Sequence, residues 1–174
     1  MKKIPPFAIL TVISLVAALL LAFTNSLTSG PIARAAEAAA NAARRNVLAA
    51  ADTFEELPHD ATVDSLYRGL KDGATVGYTA TVTVSGFGGP IEVTVGLDAD
   101  GVLTGLSVGG SQFAETAGLG TKAKEPAFTG QFVGKLAPVT LKKDVDAISG
   151  ATITSAAVTD GVNLAAAAVA GVAQ

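Results

Sequence analysis

Hydroxyl groups, an acid and very small residues come together in Asp146-Ala147-Ile148-Ser149-Gly150-Ala151-Thr152-Ile153-Thr154-Ser155. The charged run Lys142-Lys143-Asp144 precedes this stretch, and an alanine-rich segment, Asn163 to Ala173, follows it. That order describes a loop opening a helix, with Thr154 and Ser155 expected as N-cap residues whose side-chain oxygens take up free first-turn N–H groups. Ser149, Gly150 and Ala151 leave Thr152 with little steric cover. A hydroxyl just ahead of a helix N-terminus is suited to carry or contact a phosphate, because the free N–H groups and the helix dipole favour an anion there. The same residues also suit a plain polar turn before a surface helix, and local chemistry alone leaves both readings open.

A second candidate is the segment from Gly109 to Lys122, which has glycine at 109, 110, 118 and 120 and neither helical nor strand period. Long irregular loops on compact domains either connect elements or line sites. The single histidine, His59, lies in Leu57-Pro58-His59-Asp60 and reads as a solvated surface residue, since no second histidine or cysteine accompanies it. With no cysteine in the chain, disulfides, thiolate nucleophiles and cysteine-bound metal clusters are excluded. No nucleophile–base pair or carboxylate dyad sits in a defined loop, so no catalytic residue is assigned. The net charge of −3 and the dispersed lysines and arginines give no basic field for nucleic acid.

The elements that must position these residues can be read from hydropathy and period. After Met1-Lys2-Lys3 no charge appears until Arg34, and Phe7 to Phe23 is apolar apart from Thr11 and Ser14. With its flanks this stretch approaches the ~20 residues of a membrane span. Its length favours a retained anchor over a cleaved signal peptide, and Lys2 and Lys3 orient the N-terminus toward the cytoplasm. Gly30-Pro31 is expected to break the chain and start a separate alanine-rich helix from Ile32 to Ala51. Tyr78 to Val84 and Ile91 to Leu97 alternate with period two, and Val102 to Val108 forms a third strand after the Asp98-Ala99-Asp100-Gly101 turn. The expected fold is α+β, an antiparallel β-meander packed with helices and preceded by one transmembrane helix. Residues 1–30 form the anchor, 31–72 a helical stalk and connecting loop, and 73–174 the site-bearing domain.

Asp146-x-x-Ser149-Gly150-Ala151-Thr152 resembles the Asp-x-x-Ser/Thr-Gly-Ala-Thr motif at which a flavin transferase joins FMN to threonine through a phosphoester. Glu115-Thr116-Ala117-Gly118-Leu119-Gly120 resembles the Glu-Thr-Pro-Gly-Leu-Gly signature of the same flavin domains, with alanine in place of proline. Together with the anchor and meander, these are similar to the G subunit of the Rnf electron-transport complex and its relative, the C subunit of the sodium-pumping NADH:quinone reductase. The compact stalk favours the former. The resemblance implies a subunit that carries electrons on covalent FMN on the extracytoplasmic side of the membrane, among other membrane subunits that couple ferredoxin:NAD+ electron transfer to Na+ or H+ movement. It implies Thr152 as the attachment point, Ser149, Gly150, Ala151 and Thr154 beside it as cofactor-binding residues, and Asp146, with Ser149, in transferase recognition or loop geometry. Glu115, Thr116, Gly118 and Leu119 would lie against the flavin ring. An anchored module for another ligand or partner, and a stand-alone extracytoplasmic flavin reductase, are the alternatives.

Overall fold

The computed structural model describes residues 5–173, so Lys2 and Lys3, on which the orientation of the anchor was read, lie outside the described residues. The chain divides into two compact units, residues 1–39 and 40–174. The first is helical. Helix α1, Pro6–Val47, runs without interruption through Gly30-Pro31, contrary to the break expected there. A proline inside a helix removes one backbone hydrogen bond, but the alanine-rich and apolar residues on both sides of this one favour the helix strongly enough to carry it through. Phe7, Leu10, Leu15, Leu20, Phe23 and Leu27 are all exposed, and this part of α1 is long and apolar enough to cross a membrane. Thr11, Thr24 and Thr28 donate their hydroxyls to the carbonyls of Phe7, Leu20 and Thr24 at 2.9 Å. Those bonds remove the cost of bare hydroxyls among lipid tails.

The second unit is built on one five-stranded antiparallel meander in the order β1 to β5. Its strands are β1, Thr53–Glu56; β2, Ser65–Lys71; β3, Ala74–Ser85; β4, Pro90–Asp98; and β5, Leu103–Gly109. The alternation read from the sequence appears directly in β3 and β4. Ala80, Val82, Ile91, Val93, Val95 and Leu97 are buried on one face, the face that helix α3, Thr152–Val172, covers. Val158, Val162, Ala165 and Val169 recur at helical spacing on the buried side of α3, and Gly161 lets the helix close to van der Waals contact with Val93. Although α3 is long and apolar enough to resemble a second span, over half of it is buried, which makes it the core helix of this domain.

Two strands lie within residues 31–72, the stretch read from the sequence as stalk and connecting loop. β1 and β2 pair with each other and β2 with β3, and the register partners Glu55 and Arg68 form an ion pair at 2.6 Å. The strand character of β2 was masked by Gly69, where a bulge follows, and by what covers the second face of the sheet. Val47 and Leu48, at the end of α1 and within the same compact unit, sit on Gly69, Gly77, Gly96 and Gly105, one from each of four strands. A Cβ at Gly96 would lie 2.2 Å from the Val47 carbonyl oxygen, and one at Gly105 would lie 2.6 Å from Val47 Cα. The Thr104 hydroxyl donates to the same carbonyl at 2.6 Å, and Arg44 stacks 3.9 Å above the Tyr67 ring. The glycines thus form a socket for the last turn of α1. In the loop before β2, the hydroxyl and amide of Thr62 both donate to Asp60 and hold its carboxyl below its ordinary value.

Candidate functional site

The Asp146–Thr152 stretch is held at several points along its length. The Asp146 amide donates to Gln131 Oε1 at 2.7 Å, which ties the start of the loop to the turn at residues 130–134, while the Asp146 side chain faces solvent. Ile148 to Ala151 forms a tight turn closed by the Ala151 amide on the Ile148 carbonyl at 2.9 Å. Gly150 takes the third position of that turn with φ of 77°, a conformation that a Cβ would strain. Ser149 and Gly150 are exposed at its corner, whereas Ala151 is buried. Thr152 follows as the first residue of α3 and is exposed.

The helix begins earlier than local chemistry implied. Ala151 is the N-cap and makes no side-chain capping bond, so neither Thr154 nor Ser155 caps the helix. Both are buried and turned inward. The Ser155 hydroxyl accepts from the Ile148 amide at 3.0 Å and donates to the Ala151 carbonyl at 2.9 Å, fastening the turn from beneath. Thr154, 1% exposed, donates to Glu115 Oε2 at 2.8 Å. The physical reason is tertiary: a partner 39 positions away holds the Thr154 hydroxyl in the interior, where a cap would need it at the helix entrance. Without a side-chain cap, the first-turn amides of α3 face the Thr152 end of the helix, where an anion is favoured.

The glycine loop arrives beside this turn. It contains a 3-10 turn, Gly120–Lys124, and leads into the short helix α2, Pro126–Thr129. Leu119, 41% exposed, lies against Gly150, where a Cβ would come within 3.1 Å of Leu119 Cδ2. Gly118 has φ of 75° and open space around it, and Thr116 is exposed. The Gly118 amide donates to the Thr121 hydroxyl at 2.9 Å. Glu115 lies inside the domain, 8% exposed, and its second oxygen accepts from the Gly88 amide at 3.0 Å. Its carboxylate is therefore engaged by protein groups on both oxygens. The structure thus brings Leu119, Gly150 and Thr152 to one surface and sets Glu115 and Thr154 beneath it.

Sequence reasoning passed over several residues at this place. Phe87, in the β3–β4 turn, and Ile153 are 68% and 58% exposed although both are large and apolar. Asn163 also escaped notice: its side-chain amide accepts from the Val139 amide at 2.7 Å and donates to the Val139 carbonyl at 2.9 Å, clamping the segment before the loop to α3. An unpaired large apolar residue between two glycines, as in Gly86-Phe87-Gly88, was the one available signal. His59 is exposed, with Nδ1 3.0 Å from the Asp60 carbonyl oxygen, and among the described residues no cluster of acids and histidine suits a metal ion.

The residues present fit FMN. An exposed hydroxyl stands at uncapped helix amides, which suits a phosphate, and exposed Leu119 and Ile153 with the open ground at Gly118 suit a planar apolar ring.

Residues 86–167 match the model of the FMN-binding domain family. The G subunit of the Na+-translocating ferredoxin:NAD+ oxidoreductase complex of Acetobacterium woodii is 38% identical over 181 residues, covering 90% of this chain and 86% of that protein. The G subunit of the ion-translocating oxidoreductase complex of Methanosarcina acetivorans is 35% identical, covering 90% of this chain and 88% of its own. Among solved structures, the C subunit of the Na+-translocating NADH-quinone reductase from Parabacteroides distasonis is 27% identical with a TM-score of 0.50 over 58% of each chain. The identity across nearly the whole chain, and the meeting of both signature segments at one surface, show that this protein belongs to the G-subunit family of ion-translocating ferredoxin:NAD+ oxidoreductase complexes.

Proposed function

We propose that the chain is the electron-carrying subunit of such a membrane complex and holds FMN through a phosphoester to Thr152. The observation that carries this reading is the presentation of the Thr152 hydroxyl: it is exposed, it is first in α3, and it follows a turn in which Gly150 has φ of 77° and Ala151 is buried. Bound FMN supplies the redox chemistry. The chain's own residues hold it. Thr152 Oγ1 is the point of attachment, and the first-turn amides of α3 stabilise the remaining phosphate charge. Gly118, Leu119 and Thr116 lie along the ring, and Asp146 and Ser149, both exposed, serve recognition by a flavin transferase. Every one of these residues falls within 73–174, and residues 1–30 act as the anchor.

The other subunits of the complex are the partners in electron transfer. The flavin lies on the extracytoplasmic side, where covalent attachment prevents its loss by dilution. Expression alongside a flavin transferase tests the reading. The intact chain should gain the mass of one FMN and keep its yellow colour through denaturation, with the adduct mapping to Thr152. Thr152→Ala should remain folded and colourless. FMN mapped to Thr154, or retained in full by Thr152→Ala, would move the attachment point. A parent chain that gains no flavin would favour an anchored module for another ligand.

A further inference from the structure

Glu115 is a buried acid, 8% exposed, and it joins segments that are remote in sequence. Oε1 accepts from the Gly88 amide in the β3–β4 turn and Oε2 from the Thr154 hydroxyl in the first turn of α3. Gly86 and Gly120 press against it so closely that a Cβ on either would lie 2.3 Å and 2.2 Å from its carboxylate oxygens. The turn carrying Gly88 is also seated on the loop itself, since a Cβ there would lie 2.2 Å from the Ala114 carbonyl oxygen. Buried carboxyl oxygens are costly unless hydrogen-bonded, and here each oxygen receives a donor from a neighbouring segment.

Next in sequence to these contact points stand three exposed apolar side chains. Phe87 lies between Gly86 and Gly88, Leu119 precedes Gly120, and Ile153 precedes Thr154. We infer that Glu115 is a positioning residue that holds these three segments together, so that Phe87, Leu119 and Ile153 form the apolar seat of the isoalloxazine ring of an FMN tethered at Thr152. This rests on the attachment proposed above. Glu115 touches no part of the flavin and acts through Gly88 and Thr154, and because Thr154 is two positions beyond Thr152 it also sets the orientation of the attachment hydroxyl.

The test compares Glu115→Ala, Glu115→Gln and Thr154→Val in the full chain, made with and without a flavin transferase. Glutamine can keep both links, its carbonyl accepting from Gly88 and its NH2 donating to the threonine oxygen, whereas the other two variants cannot. Should Glu115→Ala fail to fold, Thr154→Val removes a single donor with little change of shape and carries the same test. In the unloaded protein, hydrogen exchange at the Gly88 amide should speed up in Glu115→Ala and stay slow in Glu115→Gln. In the loaded protein, Glu115→Ala and Thr154→Val should attach FMN about 10–100-fold more slowly, the usual consequence of misplacing a reacting group by an ångström. Their flavin should also fluoresce more strongly and lose its visible circular dichroism, with Glu115→Gln restoring both. Parent-like flavin spectra and attachment rates in Glu115→Ala and Thr154→Val would overturn the inference and leave attachment at Thr152 standing. A parent that takes up no FMN at Thr152 would overturn the attachment itself, a result visible before any variant is made.

Discussion

Replacing Gly96 by alanine tests the socket that seats the end of α1 on the sheet. The new Cβ would lie 2.2 Å from the Val47 carbonyl oxygen and 2.6 Å from its carbon, and these are backbone atoms that no rotamer change can move. Ordinary contact needs well over 3 Å, so the last turn of α1 must lift by about 1 Å or more. Lifting exposes Val47 and Leu48, now 2% and 1% exposed, each worth about 1.5–3 kcal/mol when fully buried. It also stretches the 2.6 Å hydrogen bond from Thr104 to Val47, worth about 0.5–1.5 kcal/mol net. Complete release would forfeit all of this, while partial lifting with some relaxation of the sheet leaves an expected loss of about 2–5 kcal/mol. Gly109→Ala is the control, since its Cβ would meet only the end of the Lys124 side chain, at 3.9 Å, and should change stability by no more than about 0.5 kcal/mol. Urea unfolding of the full chain in detergent, followed by circular dichroism, gives the difference. Trypsin adds a local reading, because Arg44 and Arg45 sit at the docked end and should be cut faster in Gly96→Ala. If Gly96→Ala proved as stable as Gly109→Ala and equally slow to be cut, the socket would contribute nothing to holding the helix.

Ser155→Ala should cost about 1–3 kcal/mol, because the half-buried Ile148 amide loses its acceptor, and it should broaden the NMR signals of Ser149 to Thr152; an unchanged melting midpoint would refute the stapling role. Replacing Gly118 by valine forces a branched side chain into φ of 75°, a strain of about 1–2 kcal/mol, and should shift the flavin spectrum or potential while the phosphoester remains; parent values for both would reduce the loop to a connection. The chain should fractionate with membranes and retain its first residues, and a mature N-terminus near Ala36 would show that the span is a cleaved signal.

Period-two alternation placed β3 and β4, and the apolar face of each packs on α3 as read, but the opposite face is buried as well at Thr79 and Thr94, which a segment's own period does not reveal. The apolar N-terminal helix was legible because its length and unbroken hydropathy are properties of the segment itself. The two signature segments were legible as residue patterns, but not their geometry. Local rules assigned Thr154 and Ser155 to a helix cap, and both instead serve partners that sequence distance conceals: Glu115, which is 39 residues away, and the Ile148 amide, reached only because the turn folds back over the helix. Glu115 looked like a polar loop residue free to face a ligand, and it became an interior acid because the β3–β4 turn supplies it with a donor 27 residues distant. β2 was hidden by the glycine that lets Leu48 approach the sheet, a residue that in isolation signals a loop. Hydropathy and period are properties of a segment and survive without its neighbours. Where a hydroxyl points, or why a strand needs a glycine, depends on which atom arrives from another part of the chain, and only the folded domain decides that.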